Sequence, residues 1–112
     1  MRDSLQVVDG SHEEHVCIRD HKAIVRERVG SKLFEFPANS FFQNNNSVLV
    51  PLTDYVRQAA TVIPSGGRRP THLVDTYSGC GLFALSLVES FDHVAGIEIS
   101  EVRDGVGPLI CR

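Results

Sequence analysis

The clearest change of hydrophobic pattern lies in the second half of the chain. An apolar stretch of strand length ends at Asp75, and a tight turn containing Gly79 and Gly81 follows it. A strongly apolar run over 82–91 then predicts a helix, and a second apolar strand ends at Glu98. An apolar helix between two short apolar strands is typical of a parallel sheet that is covered by helices. The pattern therefore predicts the start of an α/β domain.

The first half of the chain has two other patterns. Apolar and polar residues alternate over 15–36, which predicts three short strands in an antiparallel meander that ends at Pro37. Residues 44–63 predict a helix, because apolar side chains recur there at spacings of three and four. The asparagines and serine over 44–47 are candidate N-caps, and Pro51 is tolerated only in the first turn.

Composition narrows the class of protein. Of the 112 residues, 42% are hydrophobic and 22% are charged, and the formal net charge of −3 argues against nucleic-acid binding by bulk charge. Arg57, Arg68 and Arg69 remain a small local supply of positive charge. The cysteines and histidines show no ligand spacing, so we expect no metal site and no disulfide framework, in an intracellular setting of undetermined compartment. No apolar run has the length of a membrane span.

The glycine loop carries the candidate chemistry. Gly79 and Gly81 match the loose Gly-x-Gly fingerprint of dinucleotide sites. In an NAD site, however, the strand runs almost directly into the first glycine, whereas here Asp75 and Tyr77 intervene. That order is typical of S-adenosylmethionine-dependent methyltransferases, whose cationic, zwitterionic ligand can be met by a carboxylate and backbone groups. At the end of the second strand, Glu98 can accept hydrogen bonds from both ribose hydroxyls.

Plainer interpretations stay open for these and neighbouring residues. Glu98 can be a surface charge at a strand end, and Asp75 can be a turn residue or a helix N-cap. Phe41 and Phe42 can be core residues, and Gln43 can cap the helix that follows. Two other classes of function also stay open, namely a non-catalytic module that binds the cofactor or RNA and a fragment of a dinucleotide-binding oxidoreductase.

Two motifs together resemble the RNA uracil-5-methyltransferase family. They are Phe-Pro-Ala-Asn-Ser-Phe-Phe-Gln-Asn-Asn at 36–45 and Asp-Thr-Tyr-Ser-Gly-Cys-Gly-Leu-Phe at 75–83, with an amphipathic helix between them. The similarity covers about residues 15–99 and is greatest to fungal enzymes that make ribothymidine in the T-loop of tRNA. The Ser-Phe-x-Gln element is uncommon among methyltransferases, which makes the combination specific.

The resemblance implies a fold, a reaction and a set of contacts. The fold would be α/β, the start of a Rossmann-like class I methyltransferase sheet preceded by a small antiparallel β segment and a helix. The complete enzyme would transfer methyl from S-adenosylmethionine to C5 of a T-loop uridine in tRNA. The implied cofactor contacts are Gln43, Asp75, Tyr77, Gly79, Gly81 and Glu98, and the implied contacts to the target base are Phe41 and Gln43. A flipped base needs a stacking surface and a hydrogen-bonding amide, which this phenylalanine and glutamine supply.

The catalytic groups of the family are not identified in this chain. Enzymes of the family add a cysteine thiolate to C6 of uracil and remove the C5 proton with a carboxylate base, and both residues lie downstream of Arg112. Neither Cys80 nor Cys111 has the position or neighbours of that nucleophile, and Cys17 is predicted to be a buried strand residue. Ser78 and Leu82 also depart from the family, which commonly has cysteine at the first position and, in bacterial members, asparagine at the second.

The patterns and the resemblance together divide the chain into five segments. They are an N-terminal tail (1–14), an antiparallel β segment with the Ser-Phe-Phe-Gln element (15–43), a helix and loop (44–70), a partial S-adenosylmethionine-binding Rossmann-like unit (71–100) and a C-terminal tail outside the resemblance (101–112). We expect a truncated chain that is inactive alone. A sheet cut after two strands leaves an unpaired edge and an uncovered face, so poor independent stability is also expected.

Overall fold

The computed structural model describes residues 2–8 and 12–98, and the chain divides into two compact units between Asn44 and Asn45. Within the described residues, the first unit contains four strands, and the second contains two α-helices and two strands. No helix in this part of the chain combines the length and the apolar character that a membrane crossing requires. The predicted tail 101–112, with Cys111, lies outside the described residues.

The first unit consists of two antiparallel strand pairs. Strands β1 (Arg2–Val8) and β2 (His12–Ile18) form one pair, and β3 (Ile24–Val29) and β4 (Lys32–Pro37) form the other. β1 also lies beside β3, where the backbone N–H of Arg26 donates to Ser4 Oγ at 3.0 Å. Alternate residues of β3 and β4 point inward and form an apolar core, to which Leu5 of β1 and Phe42 beyond β4 also contribute. Its buried members from β3 and β4 are Val25, Val29, Phe34 and Phe36.

Two features of this unit differ from the sequence prediction. The segment 1–14, expected to be a tail, contains β1 and the start of β2, so β2 pairs with β1 and no three-stranded meander forms. Alternation of apolar and polar residues predicts a strand but not the strand with which it pairs. Cys17 was predicted to be buried and is exposed, because β2 is exposed along most of its length.

The second unit contains the predicted order of strand, helix and strand. A 3-10 turn (Asn46–Val48) leads into α1 (Leu49–Ala60), and β5 (His72–Asp75), α2 (Leu82–Leu87), a second 3-10 turn (Val88–Ser90) and β6 (His93–Gly96) follow. β5 and β6 pair in parallel, with Asp75 opposite Gly96. The pattern over 82–91 predicted one helix, but only its first half is α-helical.

Helix α1 is shorter than the predicted range 44–63. Its N-cap is Val48, which makes no side-chain cap hydrogen bond. The expected capping side chains are used elsewhere, since Ser47 Oγ donates to Asn45 Oδ1 at 2.6 Å. Pro51 lies in the first turn of α1, as predicted, where a missing N–H costs no helix hydrogen bond.

The core of the second unit lies between α2 and the parallel pair. Its buried members are Ala84, Leu87, Phe91 and Val94, and Val56, Ala60, Leu73 and Val88 pack against them. Arg57 adds a polar link between the helices, because its Nη2 donates to the backbone carbonyl of Ser86 at 2.8 Å. These contacts hold α2 against the strands and thereby place the loop that precedes α2.

We expect Leu87→Ala to lower the free energy of unfolding by about 2–5 kcal/mol, because it leaves a cavity at a side chain that is only 1% exposed. Ile63→Ala is the matched control, because it removes the same number of carbons from a side chain that is 56% exposed. The control should cost less than about 1 kcal/mol. Urea unfolding followed by circular dichroism measures both, and equal losses would contradict this description of the core.

Candidate functional site

The glycine loop lies at the carboxyl ends of the two parallel strands. Gly79 and Gly81 have φ angles of 51° and 82°, in the left-handed region that favours glycine. The N–H of Gly81 donates to the carbonyl of Ser78 at 2.7 Å and closes the turn, and Gly81 is the N-cap residue of α2. Both glycines that the sequence marked are therefore needed for the loop's backbone conformation.

A close approach between Ser78 and Gly96 holds the loop against the end of β6. The Ser78 side chain is buried, and a Cβ placed on Gly96 would lie 3.0 Å from both its Cβ and its Oγ. Two backbone hydrogen bonds flank this contact, from Ser78 N–H to Ile97 O at 3.0 Å and from Ile97 N–H to Asp75 O at 2.8 Å. This contact was not predicted from the sequence, although a glycine at a strand end is the signal for it.

Glu98 contacts the same loop directly. Its Oε2 accepts a hydrogen bond from the backbone N–H of Gly79 at 2.7 Å. The second strand was predicted to end at Glu98, but β6 ends at Gly96, and the Glu98 carboxylate two residues further on lies against the first glycine. The structure therefore brings together Glu98, Gly79 and Gly81, and Asp75 ends β5 at the same edge.

Asp75 has a buried oxygen without a protein partner. Among the described residues, its Oδ2 has no hydrogen-bond partner and almost no solvent contact. Burying a carboxylate oxygen without a donor costs free energy, so a donor supplied by a ligand would stabilise this site. Asp75 is not a helix N-cap, since Gly81 has that position.

Tyr77 lies in the turn between β5 and the glycines, with 91% of its surface exposed. Its aromatic ring is thus accessible beside the loop. A role for Tyr77 as a ligand contact stays a prediction, as do the roles of the other residues marked at this edge.

The first unit places the two phenylalanines of the Ser-Phe-Phe-Gln element differently. Phe42 is buried and stacks on Phe36, with ring centroids 4.4 Å apart and planes at 17°, so it is a core residue. Phe41 is 78% exposed, and Gln43 is exposed as well. Gln43 caps no described helix, because the caps fall at Asn45 and Val48. The grouping of Gln43 with the glycine loop stays a prediction.

Two of the three arginines that were expected to provide local positive charge form ion pairs within the protein. Arg57 pairs with Asp54, and the guanidinium of Arg69 donates to both carboxylate oxygens of Asp92 at 2.8 and 3.0 Å. The hydrogen bond from Arg69 holds the pKa of Asp92 below its usual value. Arg68 is exposed. Across residues 2–8 and 12–98, no group of three acidic, histidine or cysteine side chains could hold a metal ion.

Comparison with known proteins finds relatives that are named as tRNA or RNA methyltransferases. The tRNA (uracil(54)-C(5))-methyltransferase of Schizosaccharomyces pombe is 48% identical over 103 residues, which cover 89% of this chain and 19% of the relative. The protein of the same name from Saccharomyces cerevisiae is 42% identical over 85 residues, which cover 75% of this chain and 13% of the relative. A comparison with models of protein families found no match.

A solved structure is similar as well. It is the Pyrococcus abyssi tRNA (uracil-54, C5)-methyltransferase in complex with S-adenosyl-L-homocysteine, with a TM-score of 0.55 and 26% sequence identity. The match covers 88% of this chain and 23% of that one. The chain therefore spans less than a quarter of the length of each of these three proteins.

We expect Gly96→Ala to lower the free energy of unfolding by about 1–3 kcal/mol, because the new methyl group overlaps the buried Ser78 side chain. Ser78→Gly in the same chain removes both overlapping atoms, so the double variant should lose less than the sum of the single variants. Thermal or urea unfolding of the four chains measures this coupling. Strictly additive losses would show that the two residues do not approach as described.

Proposed function

Because the chain belongs to the RNA uracil-5-methyltransferase family over most of its length, we propose that it carries two parts of such an enzyme. They are part of an S-adenosylmethionine site and part of the site for the target base. In a complete enzyme of this family, the reaction is transfer of a methyl group to C5 of a T-loop uridine in tRNA, a substrate found inside the cell. The finer fold assignment, a Rossmann-like class I sheet that begins with β5, α2 and β6, belongs to the same proposal.

The pair of carboxylates at the glycine loop is the observation that carries the cofactor assignment. Asp75 ends β5, Glu98 lies two residues beyond the end of β6, and Asp75 Oδ2 lacks a donor among the described residues. S-adenosylmethionine carries a sulfonium and an ammonium group, which an acidic edge attracts. A carboxylate has about four lone-pair sites, so Glu98 has capacity for ribose hydroxyls in addition to the Gly79 N–H. The residues present therefore fit this cofactor.

The same geometry disfavours a dinucleotide site. A pyrophosphate needs backbone N–H groups directed at its oxygens. Here the Gly79 N–H donates to Glu98 and the Gly81 N–H donates to Ser78, so both glycine amides have acceptors within the protein. A pyrophosphate at this loop would also lie beside the Glu98 carboxylate and be repelled by it.

Phe41 and Gln43 are the proposed contacts to the base. Both are exposed and flank the buried Phe42, which anchors the segment in its own unit. An exposed aromatic ring can stack on a flipped uracil, and an amide can hydrogen-bond to its edge. Tyr77, exposed beside the loop, would contact the cofactor.

Methyl transfer needs groups that these residues do not supply. S-adenosylmethionine provides the electrophilic methyl group, but C5 of uracil must first be activated by addition of a thiolate at C6. Of the described cysteines, Cys17 lies on β2 of the first unit and Cys80 lies between the loop glycines. Neither has the position of the family nucleophile. We therefore expect residues 1–112 alone to bind the cofactor without transferring methyl.

Equilibrium dialysis with labelled S-adenosylhomocysteine tests the cofactor assignment on the 112-residue chain. We expect measurable binding and at least a tenfold loss of affinity in Asp75→Asn and in Glu98→Gln, because each removes a charged acceptor. Glu89→Gln is the control for net charge, since Glu89 is exposed in the 3-10 turn that follows α2. It should bind as the unchanged chain does.

Two further measurements complete the test, one with NADH as a competitor and one with uridine-containing T-arm RNA as a methyl acceptor. Excess NADH should leave S-adenosylhomocysteine bound, and the chain mixed with methyl-labelled cofactor and RNA should transfer no label. Displacement by NADH, or equal affinity in all four chains, would overturn the cofactor assignment. Label in the RNA would overturn the expectation that the chain is inactive alone.

A further inference from the structure

Arg2, which lies in the predicted N-terminal tail 1–14, holds the segment that carries Phe41 and Gln43. From β1, its Nη1 donates to the backbone carbonyls of Ala38 at 3.3 Å and Ser40 at 2.6 Å. Its Nη2 donates to the carbonyl of Phe42 at 3.0 Å and to Asn44 Oδ1 at 3.4 Å. One guanidinium thus contacts every second residue from 38 to 44.

The guanidinium also has an aromatic partner. Its Cζ lies 4.8 Å from the centroid of the Phe36 ring, the ring on which Phe42 stacks. A cation over an aromatic face is attracted to it, so the two contacts favour the same position of the side chain. Arg2 is therefore held between the end of β4 and the segment 38–44.

Residues 38–44 depend on such a contact because they belong to no described strand or helix. The backbone hydrogen bonds from Ala38 N–H to Ala23 O and from Ser40 N–H to Pro37 O lie at the beginning of the segment. Arg2 supplies donors to carbonyls further along it. The carbonyls of Ser40 and Phe42 belong to the peptide planes on either side of Phe41 and Phe42, so holding both restrains the backbone dihedrals that direct the two phenylalanine side chains.

We propose that Arg2 is a positioning residue for the base-binding side of the site. By holding alternate carbonyls of 38–44, it keeps Phe42 in the core and leaves Phe41 and Gln43 exposed in one conformation, ready for an extruded pyrimidine. The inference rests on the proposed function and deepens it. It also predicts that lysine cannot replace Arg2, because an ammonium lacks the planar fork that reaches several carbonyls at once.

Amide exchange measured by NMR on the full 112-residue chain tests the clamp itself. In Arg2→Lys and in Arg2→Ala, we expect the Ala38 and Ser40 amides to exchange at least tenfold faster, with the β3–β4 amides unchanged within twofold. Arg19→Ala is the matched control, since it removes the same charge from an exposed position at the end of β2. It should change neither set of amides.

Binding of a T-arm RNA hairpin and of S-adenosylhomocysteine gives the functional readout. We expect Arg2→Lys to bind the hairpin at least fivefold more weakly and to lose less affinity for S-adenosylhomocysteine, because Gln43 alone among the implied cofactor contacts lies in the segment 38–44. Because lysine preserves the charge, a purely electrostatic role would leave RNA binding intact in this variant, and a purely structural role would accelerate exchange throughout β3 and β4. Either result, or unchanged exchange at 38–44, overturns the proposal.

The two proposals fail in different ways. If the unchanged chain binds neither S-adenosylhomocysteine nor the hairpin, the proposed function fails. In that case the exchange rates of Ala38 and Ser40 in the Arg2 variants still decide whether the clamp exists.

Discussion

The parallel pairing of β5 with β6 is the constraint on which the candidate cofactor site depends. Two strands that run in the same direction end at the same edge, so Asp75 and Glu98 come together although 22 residues separate them along the chain. The pairing is possible at this register because Gly96 has no side chain where Ser78 packs. Glu98 then accepts the Gly79 N–H and completes the edge. A two-stranded sheet thus places a glycine loop and two carboxylates in one small region.

The sequence predicts this second unit well, because its signals are local. Apolar runs identify β5 and β6, and glycines identify the positive φ angles of the loop. Helix ends are less predictable. Four capping side chains precede α1, yet it begins beyond them at Leu49, where Ser47 donates to Asn45 and no side chain caps the helix. Local patterns show which residues can cap a helix but not which hydrogen bonds they make.

The first unit shows what local patterns leave out. Its two aromatic neighbours, Phe41 and Phe42, are equivalent in the sequence, and only the tertiary structure assigns one to the core and one to the surface. That assignment depends on Arg2, whose contacts span 36 to 42 residues of sequence. No periodicity marks an arginine near the start of the chain as a partner of carbonyls so far along it. The resemblance to the methyltransferase family identified the motif, and the structure adds the interaction that holds it.

A crystal structure of the 112-residue chain with S-adenosylhomocysteine tests the central claim most directly. The account predicts ligand density at the carboxyl edge of β5 and β6, with the ribose hydroxyls within hydrogen-bond distance of Glu98 and a ligand donor at Asp75 Oδ2. The Gly79 N–H would still donate to Glu98. Ligand density elsewhere on the chain, or a ligand at this edge that contacts neither carboxylate, would contradict the account.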